Sequence, residues 1–457
     1  MHPTLLLNVV GLTPAMLGPD TPHLSALARD GFSAPVRAIT PAVTCSAQAT
    51  YLTGTMPREH GVVGNGWYFR DLAQVMFWKQ AHSLFDGERV WDAARARDPR
   101  CTVANMFWWF NMYSAVDWSI TPRPIYPADG RKILDTYGAP DAFKQRLVGE
   151  LGPFPFFSFW GPKSDIKSSE WIAESAIRAD QWHQPTLLLA YLPHLDYNMQ
   201  RLGPGDARVR EDVRAIDAVC GRLIAHCHAS GRRILVVSEY GLTQVTGAIH
   251  INRILRDAGW LSVRDEVGLD AFDAGASDAF AVADHQIAHV HVRDPRRIDD
   301  VRRLLAAVPG IERVLDRQEQ ASIGLDHARS GELVAISAAD RWFTYYYWLD
   351  DRRAPDYART VDIHRKPGYD PAELFVDPSL SLPAARVAFT LAKKMLGFRY
   401  LMNVIPLDAS LVKGSHGRPT DRLEDGPIAI SSERTLQRAD VIEPTDIKAL
   451  TLAHLFD

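Results

Sequence analysis

Short apolar runs alternate with helical patterns along the first half of the chain, and this alternation constrains the fold more than any other feature. Four runs have the length and aliphatic content of buried strands: 4–10, 102–106, 186–192 and 233–238. Helical patterns occupy intervals between and around them: 22–30, 90–98, 168–179 and 206–227. Strands that are apolar on both faces need cover on both faces. The sequence therefore predicts an α/β fold with a central, mostly parallel sheet and helices on both sides.

The composition is that of a globular protein and excludes several other classes. Of 457 residues, 46% are hydrophobic and 23% are charged, which argues against a disordered chain, a fibre and a coiled coil. The formal net charge of −4 gives no basis for binding nucleic acid through bulk charge, so no nucleic-acid partner is expected. The four cysteines are too few and too scattered for a disulfide framework or a CxxC site: Cys45, Cys101, Cys220 and Cys227.

The N-terminal segment lacks the features of a secretory signal. It has no basic region and no small-residue cleavage site, and its apolar run is short. No stretch approaches the length of about 18 uncharged apolar residues that a membrane-spanning helix needs. We therefore expect a cytoplasmic protein without a membrane partner.

The sequence between residues 262 and 402 has a different character. Short strand patterns at 280–284, 285–292, 331–336 and 342–349, with one helical pattern at 299–308, suggest an inserted α+β piece. We therefore predict a core formed by residues 1–261, an inserted cap at 262–402, and a return to the core at 403–457.

The most specific motif lies between residues 41 and 65. It contains Pro-x-x-Thr, then Thr-Gly, then Pro-x-x-His-Gly and an asparagine: Pro41, Thr44, Thr53, Gly54, Pro57, His60, Gly61 and Asn65. Order and spacing resemble the nucleophile segment of the alkaline phosphatase superfamily, in its nucleotide pyrophosphatase/phosphodiesterase branch. The resemblance implies an alkaline-phosphatase-like core with a smaller inserted cap. It also implies that the Thr44 hydroxyl attacks phosphorus and forms a covalent intermediate.

Three later segments extend the resemblance. Asp196 with Gly203 and Pro204 resembles the family's Asp-x-x-x-His-x-x-Gly-Pro segment. Glu239 and Tyr240 stand where the family has an Asp-His pair, and the sequence around His416 resembles its late His-Gly ligand.

The resemblance implies a site for two metal ions, built from three aspartates, three histidines and the nucleophile. Carried over position by position, the first-strand aspartate becomes Asn8 and the second remains Asp196, while the histidine four residues later becomes Gln200. The Asp-His pair becomes Glu239 and Tyr240, and the last histidine remains His416.

These substitutions change the expected metal chemistry. Asparagine and glutamine offer only neutral carbonyl oxygens, and a phenol is a poor ligand until it ionises. Among Mg²⁺, Mn²⁺, Zn²⁺ and Ca²⁺, the oxygen-rich remainder suits zinc least. The candidate metal ligands are Asp196, Gln200, Glu239 and His416, with Asn8 and Tyr240 as catalytic hydrogen-bonding residues beside Thr44. One divalent ion is expected rather than two, and a site without metal stays open.

Further residues are candidates for binding substrate. Asn65 ends the nucleophile motif, and His364 and Arg365 precede a Pro-Gly turn, where a phosphate binder and a solvated loop are equal alternatives. His194, two residues before Asp196, could supply an imidazole. His285, His289 and His291 are expected on one strand face, which permits metal binding but is more often simply polar.

The leading interpretation is a phosphoester hydrolase, specifically a phosphodiesterase or pyrophosphatase that acts on a small-molecule phosphate ester. One alternative is a binding or scaffold member of the fold that has lost hydrolysis. Another is an enzyme that acts on a sulfate ester or a phosphonate. The substrate and the oligomeric state are not readable from the sequence, because function does not follow from fold.

Overall fold

The structure is a computed structural model that describes residues 1–128, 132–381, 388–390, 392–393, 396 and 401–457. Its strands, in chain order, are β1 Thr4–Val9, β2 Phe32–Pro35, β3 Gly66–Phe69, β4 Gln74–Phe77, β5 Val103–Met106, β6 Trp118–Pro122, β7 Thr136–Ala139, β8 Leu187–Leu192, β9 Arg233–Val237, β10 Thr243–Gln244, β11 Gly247–Ile249, β12 Val263–Glu266, β13 Leu269–Phe272, β14 Ala279–Asp284, β15 Ile287–Val292, β16 Ile311–Leu315, β17 Leu333–Ser337, β18 Arg341–Phe343, β19 Gly414–Ser415 and β20 Ile428–Ser431.

The described α-helices are α1 Pro22–Asp30, α2 Thr44–Thr53, α3 Pro57–His60, α4 Val90–Arg97, α5 Asp141–Leu151, α6 Phe156–Phe159, α7 Lys167–His183, α8 His194–Leu202, α9 Val209–Ser230, α10 Ile251–Asp257, α11 Ile298–Ala306, α12 Arg317–Ser322 and α13 Asp446–Phe456.

A central eight-stranded sheet organises the chain. Its strand order is β2-β20-β9-β1-β8-β5-β6-β7, and the five strands from β9 to β6 run parallel. The remaining strands pair antiparallel at the two edges. Every residue of β1 and of β8 is buried, as continuous apolar runs predict. The predicted α/β class with a mostly parallel sheet is therefore confirmed.

The helices that cover this sheet form two groups whose members contact one another. One group consists of α1, α5, α7, α8 and α9, and the other of α2, α3, α4 and α13. In the first group α7 packs on β8 and β5, and in the second α13 packs on β9 and β1.

A second sheet lies within the region predicted as a cap. It is antiparallel, with the order β14-β15-β17-β16, and it has its own hydrophobic core. That core also includes Val245, Ile251 and Leu255, which precede residue 262. The boundaries 1–261, 262–402 and 403–457 stay a prediction.

The strand predicted at 342–349 is wrong beyond its first residues. The β18 strand ends at Phe343, although the aromatic residues that follow it are buried. Side chains supply the hydrogen bonds that a neighbouring strand would otherwise supply. Asn252 donates to the Tyr345 carbonyl oxygen over 3.5 Å, and Arg256 donates to that of Tyr347 over 3.1 Å. Burial alone therefore did not indicate a strand here.

A buried carboxylate joins two of the helices. Asp217 of α9 accepts hydrogen bonds from the backbone N–H groups of His23 and Leu24, at 3.1 and 2.9 Å, at the start of α1. These groups have no partner inside their own helix, so Asp217 supplies their acceptor.

We predict that Asp217→Ala lowers the free energy of unfolding by about 1–3 kcal/mol, because it leaves two N–H groups without an acceptor. Urea denaturation followed by circular dichroism measures the change. His228→Ala, at an exposed position of the same helix, should stay within about 0.5 kcal/mol of the wild type. Equal stabilities for the two variants would contradict the capping role of Asp217.

Candidate active site

Parallel strands bring the predicted site residues to one edge of the central sheet. Asn8 lies near the end of β1, next to Val237 of β9 and Tyr191 of β8 in the ladder. Asp196 follows β8 in the first turn of α8, and Glu239 follows β9. Side chains beyond the carboxyl ends of parallel strands form the binding crevice of α/β folds.

Thr44 is the first residue of α2 and is nearly inaccessible to solvent. Its Oγ1 atom lies 3.3 Å from the Tyr240 hydroxyl oxygen. The backbone N–H groups at the start of a helix are free to bind an anion. The Cys45 N–H already donates to Asn65, so a phosphoryl group beside Thr44 would lie beside the Thr44 N–H.

Glu239 is buried and its carboxyl group is held by two amide side chains. Its Oε1 atom accepts hydrogen bonds from Asn8 Nδ2 at 2.5 Å and from Gln48 Nε2 at 2.6 Å. Its Oε2 atom has no partner with hydrogen-bond geometry among the described residues. Burial raises the pKa of Glu239 to about 7, and the neighbouring Gln48, Thr44 and Asn8 side chains oppose that rise. The sequence analysis missed Gln48, although it lies one helical turn after Thr44.

Asp196 is the second buried carboxylate. Its Oδ2 atom accepts a hydrogen bond from Gln200 Nε2 at 2.6 Å, and the Tyr240 hydroxyl lies 3.5 Å from its Oδ1 atom. Gln200 is fixed in turn by the Tyr369 hydroxyl, which donates to its Oε1 atom over 3.0 Å. Burial raises the pKa of Asp196 to about 7, with a further contribution from the charge of Glu239.

His416 faces Asp196 with an unprotonated nitrogen. Its Nδ1 atom donates a hydrogen bond to the Ala42 carbonyl oxygen at 2.8 Å, so the lone pair lies on Nε2. This Nε2 atom is 3.7 Å from Asp196 Oδ1. Burial lowers the pKa of His416 to about 3, which keeps the imidazole neutral.

A column of four stacked rings lies beside these groups. Tyr240 stacks on His416, His416 contacts His285, and His285 stacks on Tyr369, each with ring centroids 3.6 Å apart. His285 lies in the turn between β14 and β15 with φ of 59°, not on the strand face where we expected it. His289 and His291 do lie on β15. His289 is bonded to the Val63 carbonyl oxygen and to the Gly331 N–H, as a core histidine.

The rings, the catalytic candidate Thr44 and the candidate metal ligand Asp196 line one small pocket of about 60 Å³. Most of the wall is aromatic: Trp78, Trp109, Phe159, Trp160, Tyr191, Tyr197, Tyr240 and Tyr369. Aromatic side chains exclude water, and electrostatic interactions inside the pocket are stronger where water is excluded.

Asn65 lies behind Thr44 and outside the pocket lining. Its Oδ1 atom accepts a hydrogen bond from the Cys45 N–H at 3.0 Å, and its own N–H and Nδ2 groups donate to Asp284 at 2.7 and 3.1 Å. Asn65 thus fixes the start of α2 to the end of β14. A direct role in substrate binding stays a prediction.

The segment with His364 and Arg365 is arranged differently from a phosphate clamp. Arg365 is exposed, pairs with Asp356 at 3.2 Å and does not line the pocket. Burial lowers the pKa of the partly buried His364 to about 4. The neighbouring Lys366 is fully buried, with its Nζ atom 2.7 Å from both Asp370 and Glu373.

His194 points to a different partner from the one we considered. Its Nε2 atom lies 3.1 Å from Asp212 Oδ1, and the residue does not line the pocket. Its position in a helix, rather than on an extended chain, turns it away from Asp196.

The side chains fit one divalent ion at most. Within the described part of the chain, no group of three or more His, Cys, Asp and Glu side chains could hold a metal ion. Asp196 Oδ1 and His416 Nε2 face each other without a hydrogen bond between them, so they could share one cation. At Glu239 Oε1, by contrast, Asn8 and Gln48 present N–H groups where a second ion would need oxygens. The buried Asn8 Oδ1 and Glu239 Oε2 atoms have no hydrogen-bond partner among the described residues.

A family model described as type I phosphodiesterase/nucleotide pyrophosphatase matches residues 4–370. The chain belongs to this family. Membership makes it an enzyme of the phosphoester-hydrolase class and confirms the resemblance drawn from its motifs. No curated protein matches the chain in sequence.

Solved structures of this phosphodiesterase family and of a phosphonate hydrolase share the fold. Murine ectonucleotide pyrophosphatase/phosphodiesterase 5, inactive and in complex with AMP, aligns with TM-score 0.59 and 15% identity over 100% of this chain and 95% of its own. The human protein aligns with TM-score 0.59 and 14% identity over 99% and 94%. Phosphonoacetate hydrolase from Sinorhizobium meliloti 1021, in complex with phosphonoacetate, aligns with TM-score 0.65 and 14% identity over 99% and 96%.

We predict that Lys366→Met lowers the free energy of unfolding by about 3–5 kcal/mol, because it leaves two buried carboxylates without their cation. Burial alone lowers the pKa of Lys366, but Asp370 and Glu373 outweigh burial and raise it above its usual value. Thermal and urea unfolding measure the loss.

Arg365→Met is the matched control, since the adjacent residue has an exposed ion pair, and we expect a change within about 0.5 kcal/mol. A Lys366→Met protein as stable as this control would show that the buried ion pairs do not stabilise the loop before Tyr369.

Proposed function

We propose that this enzyme hydrolyses a phosphodiester or pyrophosphate bond of a small molecule, with Thr44 as the nucleophile. The observation that carries the proposal is that Thr44 lines the same pocket as Asp196, Tyr240 and His416. A nucleophile needs an adjacent group to activate it and donors to stabilise the charge that develops at phosphorus. These requirements meet at the start of α2.

The residues around Thr44 suit distinct roles. The Thr44 N–H group at the start of α2 and the Tyr240 hydroxyl would hydrogen-bond the phosphoryl oxygens and so orient phosphorus toward Thr44 Oγ1. Asp196 and His416 would hold one divalent ion, with Gln200 fixing the orientation of Asp196 through its amide. Such an ion, when bound, would supply positive charge to a phosphoryl oxygen.

The shape of the pocket favours a small substrate. A cavity of about 60 Å³ admits a phosphoryl group but not a nucleic-acid duplex. The murine neighbour is in complex with AMP and the bacterial neighbour with phosphonoacetate, and both ligands are small anions. Among the described residues, no helix is both long and apolar enough to cross a membrane. We propose the cytoplasm as the location.

We predict that Thr44→Ala lowers kcat for bis(p-nitrophenyl) phosphate by about 10³-fold or more, because the covalent route is lost. Release of p-nitrophenol measures the rate. Mass spectrometry of wild-type enzyme that is rapidly quenched during turnover should detect a Thr44 peptide that carries a p-nitrophenyl phosphoryl group.

Thr53→Ala is the matched control, because Thr53 lies on the same helix and its hydroxyl bonds to Ala49 and Thr55. It should keep nearly full activity. Full activity in Thr44→Ala would refute the proposed nucleophile.

A further inference from the structure

The arrangement around Glu239 differs from a metal site in the direction of its hydrogen bonds. A cation at this position would attract oxygen atoms from its neighbours, but Glu239 Oε1 receives two N–H groups instead. Asn8, Gln48 and Glu239 are all at most 2% exposed. Two buried amide donors therefore take over the stabilisation of the carboxylate charge.

The orientation of the Gln48 amide is fixed independently of Glu239. The Trp109 backbone N–H donates to Gln48 Oε1 at 2.7 Å. A backbone N–H can only donate, so the oxygen of Gln48 must face Trp109 and its NH₂ group must face Glu239. Gln48 is thus a donor to the carboxylate and is not available as an oxygen ligand.

The second carboxylate oxygen of Glu239, Oε2, is available to accept a proton from Thr44. Glu239 Oε2 is buried and has no hydrogen-bond partner among the described residues. Thr44 lies one helical turn before Gln48 on α2, so its side chain is on the helix face from which Gln48 reaches Glu239 Oε1 at 2.6 Å. A buried acceptor without a partner, beside a hydroxyl that must lose its proton, is the geometry of a general base.

We propose that Glu239 is the general base for Thr44, and that Asn8 and Gln48 replace the metal ion on the nucleophile side. This inference depends on the proposed function, because it assigns the proton acceptor for the Thr44 nucleophile. It limits the enzyme to one divalent ion at most, held by Asp196 and His416. Gln48 is a positioning residue, because it contacts Glu239 and not the substrate.

The reaction balances in two steps. In the first, the Thr44 Oγ1–P bond forms, the bond from phosphorus to the leaving oxygen breaks, and the Thr44 proton passes to Glu239. The leaving alkoxide takes a proton from water and leaves a hydroxide ion. In the second step, hydroxide attacks phosphorus, the Thr44–P bond breaks, and the Thr44 alkoxide recovers its proton from Glu239.

Counting bound ions tests the first half of the proposal. Purified full-length protein, stripped with EDTA and dialysed against Mn²⁺, should contain one ion per chain or none by elemental analysis. Two ions per chain would overturn the proposal. Isothermal titration with Mn²⁺ alone provides the same count without any assay of activity.

Glu239→Gln tests the second half, because it removes the base and keeps the size of the side chain. We expect kcat for bis(p-nitrophenyl) phosphate to fall by about 10²-fold or more, with the Mn²⁺ count unchanged. Unchanged kcat, or loss of a bound ion, would overturn the role of Glu239 as a base.

Thr44→Ala separates the proposed function from this inference. If Thr44→Ala is active, the proposed function fails. If Thr44→Ala is inactive and Glu239→Gln is fully active, only this inference fails.

Gln48→Met tests the inference even if the Glu239→Gln protein does not fold. Loss of one donor should lower kcat by about 10-fold and leave KM unchanged, whereas a general loss of structure would reduce the fraction of active enzyme. Active-site titration by the p-nitrophenol burst measures that fraction. Gln80→Met is the control, because Gln80 is a buried glutamine that does not line the pocket. Equal kcat values in the two variants, per active site, would count against Gln48 as a positioning residue.

Discussion

Two carboxylates, Glu239 and Asp196, lie buried within one small site, and the surroundings must compensate for their charge. An isolated buried carboxylate is costly unless it is paired, hydrogen-bonded or protonated. In this chain amide N–H groups do most of this work: Asn8 and Gln48 on Glu239, and Gln200 on Asp196. Each of these three amides turns its N–H group toward a carboxylate, and this orientation decides where a cation can bind and which oxygen can accept a proton.

The fold makes this arrangement possible because it gathers distant segments at one sheet edge. Parallel strands place Asn8, Asp196 and Glu239 together, although they come from three different strand ends. The helix that begins at Thr44 is anchored by Asn65, which also holds Asp284 of the second sheet. Thr44 is thereby tied to the second sheet through Asn65.

The sequence predicted the elements whose signal is local. The run at 4–10 and the helical pattern at 22–30 correspond to β1 and α1 within one residue, because continuous apolar runs and helical spacing are visible in a short window. The motif around Thr44 was specific enough to indicate the family. Gln48 and Tyr369 were not found in this way, and His285 was predicted on a strand face, because each acquires its role only through contact with a residue far away in the chain. The aromatic run at 342–349 was misread because burial was mistaken for strand pairing.

The column of stacked rings has a consequence for how the site assembles. Its members, Tyr240, His416, His285 and Tyr369, belong to four separate segments, one of them near the C-terminus. Contacts between such distant segments form slowly, since long loops must close first. The pocket is complete only when all four segments have met, so a nascent chain that has not yet released the segment around His416 has no finished pocket.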